Sequence, residues 1–243
     1  MKKLSVLLMV IPFFMFGQED SNYLDNLTHI KVKMGHEAQF AEGVKMYKKC
    51  YSENGGEDNW TFWRRIQGKG TVYAVTSQMA NWAEMDKDPD AAANQCRSMF
   101  PMFLAPHMEE TWTSITSFMP EISNDSQSPS DKVWVTYFKV KNTTDFMTVI
   151  KAMTAEIKKA EGDERGYWYA FEGGSKDAPN YLVAWPFETY ADLDKDMDSV
   201  WKVYENAHGK KKTDQMKAMY RNAVSDDWGY IYDSSEDMSK TPN

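Results

Sequence analysis

Apolar residues in this chain switch between a two-residue and a helical spacing, and they do so in the same order twice. Residues 132–141 (KVWVTYFKVK) are rich in β-branched and aromatic side chains, the composition of a strand. Phe146, Ile150, Met153 and Ile157 then recur at intervals of 4, 3 and 4, which marks one face of a helix. Asn142, followed three residues on by Asp145, supplies a cap for that helix, and Gly162 closes it. Residues 167–171 and 181–187 read as strands separated by a turn at Gly173-Gly174-Ser175. Thr189-Tyr-Ala-Asp192 is a capping box opening a second helical region, and residues 228–232 form a last strand. The predicted order is β-α-β-β-α-β.

The first half follows the same path. Residues 27–33 predict a strand, and Phe40, Val44, Tyr47 and Tyr51 repeat the 4-3-4 helical spacing. Residues 60–66 and 71–77 predict a hairpin around Gly68-Lys69-Gly70, and residues 112–118 a last strand. Pro89 and Pro101 predict that the second helical region is broken here. An offset of 108 pairs Trp60 with Trp168, Tyr73 with Tyr181 and Val75 with Val183. It also pairs Asp86-Lys87-Asp88 with Asp194-Lys195-Asp196. Such self-similarity is the signature of one unit used twice. The offset grows to 116 at the last strand, which places about eight extra residues near Lys210-Lys211-Lys212, read as a solvated loop. The expected divisions are a first repeat over 24–119, a Ser/Pro-rich linker over 120–130, a second repeat over 131–233 and a disordered tail over 234–243.

An antiparallel sheet with helices on one face should show one apolar and one polar side. These strands are apolar on both: Tyr181, Val183 and Trp185 alternate with Leu182 and Ala184, and Trp60 and Phe62 oppose Trp63. Helices cover one face, and the sister sheet is the economical cover for the other. The expectation is an α+β chain of two ferredoxin-like repeats that form a pseudo-dimeric barrel within one polypeptide.

Charge and cysteines narrow the setting. Met1-Lys2-Lys3 precedes an apolar run over residues 4–16 and Gly17-Gln18, which reads as a secretory signal over 1–18. The alternative is a retained anchor, for which thirteen apolar residues are short. The expectation is a secreted or periplasmic protein with no stable membrane insertion after cleavage. Removing Lys2 and Lys3 takes the net charge from −8 to −10, which argues against nucleic-acid binding. Cys50 ends the first helix and Cys96 begins the broken helical region on the same sheet face, so a disulfide is possible in an oxidising compartment. Two buried free thiols are the alternative.

The segments TVYAVTSQMANWAEMDKD and NYLVAWPFETYADLDKD each run from a strand into a capped helix. With the element order, they resemble the dimeric α/β-barrel superfamily, which includes antibiotic-biosynthesis monooxygenases and NIPSNAP-like proteins. The resemblance covers residues 27–118 and 131–233. It implies a barrel cleft and a role among cofactor-free oxygenases, isomerases, haem-degrading proteins or non-catalytic binding modules. No family catalytic motif transfers residue by residue. Members of such folds often place a histidine near the cleft, and His107, after Pro106 and near Trp112, is the candidate proton shuttle or haem ligand. His29, His36 and His208 sit in a strand, at a helix start and in the lysine-rich region, with no metal-ligand spacing. Tyr73 and Tyr181 are the candidate catalytic partners of His107. Trp60, Trp63, Trp168, Tyr169 and Trp185 either line a cleft for a small apolar or aromatic ligand or fill core. No metal and no obligatory cofactor is expected, with haem as the alternative.

Overall fold

In a computed structural model of the chain, residues 22–125 and 130–241 are described; the expected leader over 1–18 lies outside them. In chain order the elements are β1 (Leu24–Val32), α1 (Glu37–Glu53), β2 (Thr61–Arg65), β3 (Thr71–Met79), α2 (Ala91–Cys96) and β4 (Met108–Phe118). They continue with β5 (Lys132–Val140), α3 (Thr143–Glu161), β6 (Tyr167–Phe171), β7 (Tyr181–Phe187), α4 (Val200–His208), α5 (Lys210–Ala223) and β8 (Val224–Ser234). The strands close into one antiparallel barrel in the order β1-β3-β2-β8-β5-β7-β6-β4. Each half contributes four adjacent strands, and the halves join where β2 pairs with β8 and β4 with β6. Closure leaves no free sheet edge. β1 and β5 stand 108 positions apart at both ends, β2 and β6 106, and β4 and β8 116. The pairing of β1 with β4 slips between Lys31 and Val32, and that of β5 with β8 slips between Lys139 and Val140, again 108 positions on.

Local signals build the helical layer. The Asn142 side chain accepts a hydrogen bond from the Asp145 backbone N–H, and Phe146, Val149, Ile150, Met153 and Ile157 bury one face of α3. Gly162 ends the helix at φ 97°, a conformation that favours glycine. In the first half the second helical region is broken, as Pro101 predicts: α2 is six residues long and is followed by a wide turn over Phe100–Leu104. Gly43 lets this turn lie on α1, since a Cβ there would stand 2.3 Å from the Phe103 carbonyl oxygen. The Cys50–Cys96 disulfide ties α1 to α2, with Cα atoms 6.1 Å apart.

Alternation along the strands sorts the core into two kinds. Outward residues pack on helices: Ile30, Val32, Phe62 and Tyr73 with Phe40 and Val44 of α1, and Phe138 and Trp168 with Phe146 and Ile150 of α3. Inward residues from both halves meet each other: Leu27 and Ala74 with Val135, Tyr137, Leu182 and Tyr232.

Four expectations need correcting. Lys210-Lys211-Lys212 is not a loop but the first turn of α5, held by a 2.6 Å ion pair from Lys210 to Asp214 one turn on. The last strands, expected over 112–118 and 228–232, begin four residues earlier at Met108 and Val224, which takes Glu109-Glu110 and Asp226-Asp227 into β4 and β8. The segment expected as a linker packs as far as it is described: Ile122 is buried among the α3 core residues, and the Ser123 hydroxyl accepts the Trp168 N–H. The tail expected to be disordered is part of the fold as far as it is described. Trp60 and Lys240 exchange backbone hydrogen bonds of 2.9 Å, the Ser239 hydroxyl accepts the Phe62 N–H, and Met238 is buried in the first-half core. Among the described residues no helix is long and apolar enough to cross a membrane.

Candidate functional site

The barrel interior is not filled along its whole length. One end is plugged by flat side chains. His29 stacks on Trp112 at 5.1 Å, Tyr137 stacks on Trp228 at 5.7 Å, and Arg65 lies over the Tyr230 ring. The Tyr137 hydroxyl is 3.1 Å from that of Tyr232. Burial and the nearby Arg65 guanidinium push the His29 pKa down to about 4, so this imidazole is neutral at pH 7.

The other end is a cavity of about 1180 Å³. Its walls are the inward faces of both halves, with Leu27, Trp63, Ala74, Thr76 and Thr116 from the first and Val135, Tyr169, Leu182, Ala184 and Tyr232 from the second. Lys48, Glu57, Asn59, Glu236 and Lys240, from the α1 end and the C-terminal segment, form a polar rim. The space arises from a difference between the halves. At equivalent inward positions the first half carries Thr61, Ala74 and Thr116 where the second carries Tyr167, Leu182 and Tyr232. Smaller side chains on one wall leave room against larger ones on the other.

Among the described residues Asp25 is the one carboxylate that lines this cavity from within a strand; Glu57, Asp131 and Glu236 line it from outside the strands. Asp25 lies on β1 two residues before Leu27, between Gln78 of β3 and Thr116 of β4. Among the described residues its carboxyl has no ion-pair or hydrogen-bond partner. Loss of water contact pushes its pKa up to about 7. Beside it, the Tyr23 and Tyr169 hydroxyls are 2.9 Å apart, and Tyr23 stacks on Phe118 at 4.8 Å. Burial raises the Tyr23 pKa to about 12 and that of Tyr169 well above the usual phenol range, with the nearby Asp25 adding to both. Both are therefore neutral phenols at pH 7. One donates to the other, which leaves one O–H for a ligand. A carboxyl poised near neutrality beside such a donor on a cavity wall can move a proton.

Of the residues singled out in the sequence, Trp63 and Tyr169 reach the cavity, and the Trp63 indole N–H donates to the Thr76 hydroxyl at 3.1 Å. Trp60 and Trp168 face the helices; Trp60 donates to the Met238 carbonyl, and Trp168 stacks on Phe138. Trp185 pairs across strands with Trp134 on the outward face shared with Tyr181 and Val183. Tyr73 packs on Phe40 and Tyr181 on Phe146, both outside the barrel. His107 does not line the cavity; its Nδ1 is 2.9 Å from Nδ1 of His36, between β4 and the start of α1. His208 contacts Glu156 at 3.1 Å. Asp25, Tyr23, Tyr137 and Tyr232 were not singled out. The offset held a signal for Asp25, since it pairs this carboxylate with Val133, an inward apolar residue.

The donor set bears on haem. Among the described residues no His, Cys or Met lines the cavity, and Tyr23 and Tyr169 are held as phenols rather than as the phenolates that would ligate iron. The cavity residues do not fit an iron porphyrin. A second polar cluster, Asp125, Asp163 and Glu164, is bridged by Lys158, which contacts Asp125 at 2.9 Å and Glu164 at 3.1 Å.

No protein-family model matches the chain, and no curated protein matches it in sequence. Solved structures do match over both halves. A "putative monooxygenase" from Lactobacillus acidophilus is 8% identical, with 88% of this chain and 94% of that chain covered at a TM-score of 0.52. An anthrone oxidase-like protein is 9% identical (90% and 93% covered, TM-score 0.51). A "putative chlorite dismutase" is 11% identical (89% and 96%, TM-score 0.51). At such identities the likeness is one of fold: a mixed α+β chain with a closed eight-stranded antiparallel barrel.

Proposed function

We propose that this chain is an exported tandem barrel protein that binds a small apolar or aromatic molecule inside the barrel. The observation that carries the reading is the cavity between the unequal halves, whose inner walls carry aromatic, aliphatic and threonine side chains and whose mouth is polar. Export is supported by the leader-like N-terminus and by the Cys50–Cys96 bridge, which suits an oxidising compartment. Two ferredoxin-like units descended from one are supported by the matched strand limits and by the ladder slip that recurs 108 residues on. The resemblance to antibiotic-biosynthesis monooxygenases and NIPSNAP-like proteins belongs to this reading.

The test is a titration with N-phenyl-1-naphthylamine, a flat neutral probe whose emission rises in apolar surroundings. Saturable enhancement is expected for the wild type, with at least a tenfold weaker response for Ala184→Trp, which fills the cavity. Equal response from both proteins would refute the site. The haem alternative, with His107 as ligand, predicts a Soret band after haem addition that His107→Ala removes. The cavity's donor set predicts no such band.

A further inference from the structure

We propose that Asp25 is a general base that enolises a flat ketone held in the cavity, while the Tyr23–Tyr169 hydroxyl pair donates a hydrogen bond to the forming enolate oxygen. This rests on the cavity being the ligand site and adds a reaction and a substrate class to it: aromatic or cyclic ketones with an acidic C–H beside the carbonyl.

Three observations converge. Asp25 is placed on a cavity wall with an uncommitted carboxyl, so it can accept a proton from a bound molecule without first leaving a partner. Tyr23 and Tyr169 are 2.9 Å apart with both rings at the cavity, so one of their two protons is spoken for and the other is free to donate to a ligand acceptor. Trp63 and Tyr137 offer faces against which a planar enolate would lie. The step balances without an added reagent. The α C–H bond breaks and its proton passes to a carboxylate oxygen of Asp25. The electron pair enters the carbon–carbon bond, and the carbonyl oxygen becomes an enolate stabilised by the tyrosine O–H. Return of the proton to the same carbon gives exchange, and return to a conjugated carbon gives an isomer.

The groups around Asp25 set its pH response. Its strand neighbours Gln78 and Thr116 are uncharged. Tyr23 and Tyr169 are the phenols whose ionisation its charge opposes, and Tyr167 lies near both. The cationic groups among the lining residues, Lys48 and Lys240, are committed at the rim to the Glu236 and Asp58 carbonyls.

The experiment follows deuterium uptake from D2O at C1 of 2-tetralone by NMR, with binding measured in parallel by displacement of N-phenyl-1-naphthylamine. Uptake is expected to be at least tenfold faster with wild type than with Asp25→Asn, and to rise with pH to a plateau with a midpoint near 7. Tyr169→Phe is expected to slow uptake about fivefold or more while still binding the probe. Binding of 2-tetralone with uptake no faster than in Asp25→Asn would overturn the proposal and leave the binding site standing. Should neither 2-tetralone nor the naphthylamine bind, the site itself fails and the base with it. A wild-type profile with no inflection between pH 5 and 9 also overturns it, whatever the fold of the variant.

Discussion

The Asp25 carboxyl costs the fold stability, and the sign of that cost can be worked out. Its pKa is raised on folding, from the ordinary value of 3.8 to about 7. The folded state therefore holds the proton more tightly. Stability is greatest below the unfolded pKa, falls as pH rises from about 4 to 7, and is flat above. Asparagine cannot ionise, so Asp25→Asn is expected to match wild type near pH 4 and to exceed it above pH 7. The gain is at most about 4 kcal/mol, since one pKa unit is worth about 1.4 kcal/mol. His29 titrates in the same window with the opposite sign, its pKa being depressed to about 4, so its contribution is lost as pH falls through 6.5. Comparing the two proteins at each pH cancels that contribution. Urea unfolding at pH 4, 6 and 8 provides the check; a difference independent of pH would mean that Asp25 ionises freely in the folded protein.

At the level of elements, the C-terminal segment behaves as an added strand cap rather than as a tail. Its backbone pairs with Trp60, and Met238 reaches the core formed by Phe40, Val44 and Phe62. Met238→Ala is expected to destabilise by about 2–3 kcal/mol, the cost of a buried methionine truncated at a site that cannot fully collapse. A change below about 0.5 kcal/mol in urea unfolding would show the segment to be undocked in solution. The Cys50–Cys96 bridge closes a span of 46 residues. Replacing both by serine should cost up to about 4 kcal/mol on the loop-entropy account, measured against the oxidised wild type. These elements differ in how legible they were. The caps at Asn142 and Thr189, the stop at Gly162 and the inward–outward split of Trp60, Phe62 and Trp63 all follow from local spacing. The C-terminal segment did not, because one apolar residue, Met238, among polar neighbours has no period, and its partner strand lies about 180 residues earlier. Asp25 was missed because the first strand was begun at Leu27. Extending the strand two residues puts Asp25 inward with Leu27 and His29.

Across the whole molecule, the halves are alike in strand limits and unlike in what they point inward. The second half fills the shared interior with Tyr167, Leu182 and Tyr232, and the first leaves it open with Thr61, Ala74 and Thr116. A barrel with two copies of the second half's interior would be crowded shut; one with two copies of the first would be underfilled. The cavity thus depends on divergence after doubling, and it was not legible because the repeat announces sameness. Making the first half resemble the second should reverse the trade. Ala74→Leu restores the residue found at Leu182, and burying its added carbons is worth about 1–2 kcal/mol if they meet the open space rather than a packed wall. The expected result is a higher melting temperature together with at least a tenfold loss of N-phenyl-1-naphthylamine affinity. A loss of stability would show that Ala74 already faces packed atoms, and unchanged affinity would show that the probe sits elsewhere. Gain and loss in the same variant would tie the space between the halves to binding.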